Sequence, residues 1–139
     1  MHKNPDAGGI KRILEESRNV AVVGLSDSPF RTSHAVASAI QRAGYRIFPV
    51  NPNLTGPVLG EEPYATVQEI PEPVDIVDVF RRSEKVPPVA EDAVAAGAKV
   101  LWLQSGVTNV EAARYAEEHG LTVIMDRCIK VDHAMLVGP

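Results

Sequence analysis

The chain has 139 residues, with 45% hydrophobic and 23% charged, which is the balance of an ordinary globular protein with one core. A net charge of −4 and the lack of a basic run argue against nucleic acid as a partner. The single cysteine, Cys128, excludes an internal disulfide and a cysteine-based zinc site. No segment approaches the roughly 20 apolar residues of a membrane span, and the N-terminus has no signal-peptide run, so a cytoplasmic protein without membrane partners is expected.

Residues 9–18, GIKRILEESR, place Ile10, Ile13 and Leu14 at helical spacing, with Asp6 as a cap. NVAVVGL follows, a continuous apolar run of the kind found in central parallel strands covered on both faces. SHAVASAIQRAGY sets Val36, Ile40 and Ala43 at helical intervals and stops at Gly44. RIFPV is a second strand, closed by Pro49 and Pro52.

Residues 51–73 are rich in proline and glycine and read as a connection, with a short helix in YATVQEI. VDIVDVF is the third strand. SEKVPPVAEDAVAAG is a helix with Ser83 as cap, prolines in its first turn and Gly97 as stop. AKVLWLQ is the fourth strand, NVEAARYAEEHG a helix capped by Asn109 and ended by Gly120, and LTVIMD the fifth strand. The expected architecture is α/β: one doubly wound domain over residues 1–139, with about five parallel strands and helices on both faces. Its N-terminal helix covers about 9–18, sheet and helices about 19–126, and an irregular tail 127–139.

Ligands of such sheets bind outside the carboxyl ends of the strands. Those ends carry LSDSPFRTS, NPNLTG, RRSEK, QSGVTN and DRCIK. Arg31, Arg81, Arg82, Lys85, Arg127 and Lys130, six of the fourteen cationic side chains, fall in or beside them. Ser26, Thr32, Ser33 and Thr108 add hydroxyls, and three of the loops lead into helices whose N–H groups favour anions. The set suits a phosphate-bearing ligand.

Only Gly24 of the dinucleotide fingerprint G-x-G-x-x-G is present; Ser26 and Pro29 occupy its other glycine positions. The second strand ends in VNPN, without the carboxylate that would hold a ribose 2′-OH, which argues against a nicotinamide dinucleotide. No Ser-His-Asp order, metal-ligand spacing or Walker sequence is present, so neither catalytic residues nor a metal are expected. His34 stands in reach of a phosphate but is more simply read as exposed, and Cys128 as a structural thiol.

VAVVGLSDSPFRTSHAVA, GYRIFPVNPN, VDIVDVFRRSEKVP, AKVLWLQSGVTN and VIMDRCIKVDHAML together resemble the small stand-alone CoA-binding proteins. Those are Rossmann-type domains similar to the CoA-binding domain of the succinyl-CoA synthetase α subunit. The resemblance runs from about residue 10 to 136 and implies binding of coenzyme A or an acyl-CoA. It implies that Gly24, Ser26, Arg31 and Ser33, with Thr32 beside them, hold the pyrophosphate. It puts Asn51, Pro52 and Asn53 at the adenine and ribose, Phe80, Arg81 and Arg82 beside the phosphates and pantetheine arm, and Gln104 and Gly106 at the far end. The synthetase's phosphorylated histidine lies in a second domain with no counterpart here, and its lysine-bearing segment after strand two reads NPNLTG. A non-catalytic binding module is therefore expected. The alternatives are an NAD(P)-dependent oxidoreductase or sensor, and the CoA-binding subunit of a multi-chain acyl-CoA ligase with a protein partner.

Overall fold

A computed structural model of the protein describes residues 2–138. Five strands, β1 (Asn19–Val23), β2 (Arg46–Val50), β3 (Ile76–Val79), β4 (Val100–Leu103) and β5 (Thr122–Ile124), form one all-parallel sheet in the order β2-β1-β3-β4-β5. The helices are α1 (Ala7–Glu16), α2 (Thr32–Arg42), α3 (Val86–Ala95), α4 (Val110–Glu118) and α5 (Ile129–Asp132). This is the Rossmann-like α/β sheet that the alternation of apolar runs and amphipathic segments predicted. Strand order reverses between β1 and β3, which makes their carboxyl ends the switch point of the sheet.

The period-two alternation of a strand decides which core each residue joins. Ala21, Val23, Val77, Val79, Leu101 and Leu103 face α3 and α4, whose Ala90, Ala93, Ala112, Ala113 and Ala116 let the helices lie close to the sheet. Val20, Val22, Ile76, Val100 and Trp102 face the other way, onto Ile10 and Leu14 of α1, Val36 and Ile40 of α2 and Ile129 of α5. Trp102 is fully buried, and its indole N–H donates to the carbonyl of Arg127 at 2.8 Å, so burial leaves no donor unmet.

The caps Asp6 and Asn109 accept from Gly9 N–H (2.8 Å) and Ala112 N–H (2.9 Å). Three expectations need correction. Ser83 caps no helix: Ser83–Lys85 is a separate 3₁₀ turn, and α3 starts at Val86 with Pro87 and Pro88 in the turn where a missing N–H costs nothing. Instead Ser83 Oγ accepts from Thr108 N–H (2.9 Å) and its carbonyl from Asn109 Nδ2 (3.0 Å), which fastens the loop after β3 to the loop after β4. YATVQEI yields only a 3₁₀ turn, Val67–Glu69. The tail is not irregular: α5 continues as a π-helical turn, His133–Val137. It is held by burial of Ile129 and by a paired contact of Arg127 with Asp132, both at 2.7 Å. Those contacts need the folded sheet and leave no periodic signal in so short a segment.

Asp78 lies in the middle of β3, between Val22 and Trp102 on the neighbouring strands. It is wholly buried, and neither carboxyl oxygen has a hydrogen-bond partner. Burial pushes its pKa well above the ordinary carboxylate range, so the sheet accommodates the neutral acid. The unfolded chain releases this proton near pH ~4 while the folded chain retains it to higher pH, so stability falls as pH rises between the two values. Asp78→Asn should therefore gain stability relative to the parent as pH rises above about 4 in urea unfolding, since other groups cancel in the difference. A difference that stays constant with pH would show that Asp78 is ionised in the fold.

Candidate functional site

The loop after β1 leaves the sheet at Gly24, whose φ is +86°. A Cβ there would stand 2.8 Å from the carbonyl oxygen of Phe80, at the end of β3. Gly24 N–H donates to Val50 O at 2.8 Å, and Phe80 N–H to Val23 O at 2.8 Å, so three strand ends converge at this residue. The glycine is required by both backbone conformation and space.

Beyond it, the serines organise the loop. Ser33 Oγ accepts the N–H of Ser26 at 3.0 Å, and Ser26 Oγ accepts the N–H of Ser28 at 3.0 Å. Ser33 is buried, while Arg31 and Thr32 are exposed at the start of α2. Each serine hydroxyl still keeps its own proton to donate. Arg31 is the N-cap of α2 and places no side-chain oxygen over the helix end, which leaves first-turn N–H groups facing outward.

A cleft of about 250 Å³ opens beside this loop, on the α3 side of the sheet. Val23, Val50 and Val67 form its apolar floor, Pro52, Ala65 and Thr66 one wall, and Pro88 and Val89 the other. Arg81, Lys85 and Asp92 stand along the second wall. The first wall is positioned by a parallel bridge between Val50 and Tyr64, with Tyr64 N–H donating to Pro49 O (2.9 Å) and Asn51 N–H to Tyr64 O (2.9 Å). Asn51 ties this wall to the first loop, because its Nδ2 donates to Leu25 O at 3.1 Å and its Oδ1 accepts from Asn53 N–H at 3.0 Å.

The sequence-derived residues therefore divide. Gly24, Ser26, Arg31, Thr32 and Ser33 share the first loop and helix start, and Pro52 and Arg81 line the cleft. Asn51 is committed to holding the loops, and Asn53 is exposed beside it. Phe80 packs partly into the core on the α2 face. Arg82 is exposed and pairs with Glu84 at 3.8 Å. Gln104 is buried and accepts Ile129 N–H at 3.1 Å, while Gly106 N–H donates to Asp126 at 2.6 Å, so both fasten the loop after β4 to the segment after β5. Arg127 is neutralised by Asp132, a contact that raises its pKa. Cys128 is half-buried against the α2-side core. Residues 65–67 and 88–92 were missed by sequence reasoning; their only sequence signal was the proline pair opening α3.

The class is that of Rossmann-like parallel sheets, here with an open helix start and an apolar cleft at the switch point, where ligands of such sheets bind. The chain belongs to the CoA binding domain family, whose model matches residues 18–134. It is 52% identical over 133 residues to the uncharacterized protein YneT of Bacillus subtilis (strain 168), covering 96% of this chain and 98% of that one. A hypothetical protein from Pyrococcus horikoshii OT3 superposes with a TM-score of 0.92 at 33% identity, covering 99% of this chain and 100% of the other. The dinucleotide-forming acetyl-coenzyme A synthetase 1 of Ca. Korarchaeum cryptofilum, solved with phosphate and ADP, matches 82% of this chain with 26% of its own, at a TM-score of 0.69 and 25% identity. No helix among the described residues is long and apolar enough to cross a membrane, and no His, Cys, Asp and Glu group among them could hold a metal ion.

Gly24→Ala should lower stability by about 1–3 kcal/mol through the positive φ, with the overlap on Phe80 adding to it. Urea unfolding reads the loss. A variant as stable as the parent would mean that the β1 and β3 ends can separate.

Proposed function

We propose that this protein is a cytoplasmic, non-catalytic binding module for coenzyme A or an acyl-CoA. The observation that carries the proposal is the junction of an apolar cleft with the start of α2 at the switch point of a CoA-binding-family sheet. The apolar floor and the volume of the cleft support seating the adenine ring there, with Pro52, Pro88 and Val89 in its lining. The pyrophosphate then falls at the first turn of α2, where Ser26, Thr32 and Ser33 offer hydroxyls and Arg31 a charge. Gly24, by its positive φ, turns the chain from β1 into the loop that leads there. From the phosphates the pantetheine arm would run past Phe80 toward Gln104 and Gly106.

Asn51 carries no charge and is already engaged with Leu25 and Asn53, so a 2′,3′-diol ribose finds no carboxylate at the end of β2. This weighs against the nicotinamide reading. Ligase chemistry is not part of the proposal, since the shared region is 26% of the synthetase chain.

Isothermal titration with coenzyme A, dephospho-CoA, NAD and NADP tests the reading. Coenzyme A should bind most tightly; tighter binding of NAD overturns it. Arg31→Ala should weaken coenzyme A binding by about 1–3 kcal/mol, the range of a charge-assisted phosphate contact. An unchanged affinity would remove Arg31 from the site.

A further inference from the structure

Resting on the coenzyme A reading, we propose that Arg81 and Lys85 form the subsite for the ligand's 3′-phosphate. The cations that read this group would then come from the β3 side of the cleft, with none from the loop after β2. The first observation is the unequal charge of the two walls. Residues 51–66, which supply the β2-side wall, contain no lysine or arginine and include Glu61 and Glu62. The opposite wall carries Arg81 and Lys85 where it leaves β3, and Asp92 two helical turns further along.

Asp92 accepts from Gln68 Nε2 at 2.9 Å and makes its end of the cleft anionic. A phosphate is repelled from that end and drawn to the rim where Arg81 and Lys85 stand. The geometry of the ligand agrees. With the base in the cleft and the pyrophosphate at α2, the ribose would lie between them, at the rim that Arg81 and Lys85 share.

The second observation is that these two cations are uncommitted. Among the described residues, Arg82 pairs with Glu84 and Arg127 with Asp132, whereas neither Arg81 nor Lys85 is in an ion pair. Arg81 Nε is enclosed and has no hydrogen-bond partner. A buried donor without an acceptor is uncommon, and this one belongs to a side chain that lines the cleft. The third is that the segment is held in place before any ligand arrives. Lys85 N–H donates to Arg82 O at 2.9 Å within the 3₁₀ turn, and Ser83 is fastened to Thr108 and Asn109. The backbone of Lys85 is thereby fixed on the rim, which lowers the ordering cost of contact.

Titration of coenzyme A and dephospho-CoA against the parent, Lys85→Ala and Arg81→Met separates this inference from the reading it rests on. The parent should bind coenzyme A at least about tenfold more tightly than dephospho-CoA. Each variant should collapse that ratio toward one, with Lys85→Ala the cleaner case because its side chain is exposed and its loss leaves the fold intact. If the parent binds both ligands equally, or the variants leave the ratio as it was, the 3′-phosphate subsite is overturned and the coenzyme A reading stands. If the parent binds neither ligand, both fall together.

Discussion

After Val23 and Val79 the chain leaves the sheet from two adjacent parallel strands and turns to opposite faces. Everything at the ligand edge depends on that divergence. One strand feeds α2 and the other α3, so their loops part and leave a crevice that no side chain fills. Gly24 keeps the two strand ends together at the point of parting, because only hydrogen fits against the Phe80 carbonyl. A bulkier residue would pry open the base of the crevice and shift the helix start that borders it.

Cross-loop hydrogen bonds then make the crevice a fixed shape. Asn51 reaches from the β2 end to Leu25, Ser83 from the β3 end to Thr108, Gln104 from the β4 end to Ile129, and Asp126 from the β5 end back to Gly106. Each links one strand-end loop to another, so the carboxyl edge of the sheet is laced together. Polar residues that look like ligand contacts in the sequence are partly spent on this lacing. The same holds for charge: pairing with Glu84 and Asp132 removes Arg82 and Arg127, and leaves a short list of cations able to meet an anion.

Order of elements and the parallel sheet were legible because their signals are local and repeated. Apolar runs, helical spacing, the Asp6 and Asn109 caps and the stop glycines all agree on one alternation of strand and helix. The wall built from Tyr64 to Val67 was not legible. It is an irregular segment whose place is set by backbone bonds to Pro49 and Asn51, and it has no side-chain period. The helical tail was hidden for the same reason, being held by Trp102, Gln104 and the Arg127–Asp132 contact.

VDIVD shows the division most plainly. The sequence by itself determined a strand with two aspartates, three residues apart. Only the tertiary structure decided what they are. Asp75, at the strand's entrance, is pushed upward by partial burial, but N–H groups of Asn19 and Arg18 and the charge of Lys99 outweigh this and lower its pKa. Asp78 is closed in by Val22, Trp102 and the α2-side core, with no donor to offset desolvation, and its pKa rises. Spacing along the chain sets which face a side chain takes. The donors, charges and water it meets there come from neighbours that only folding brings near.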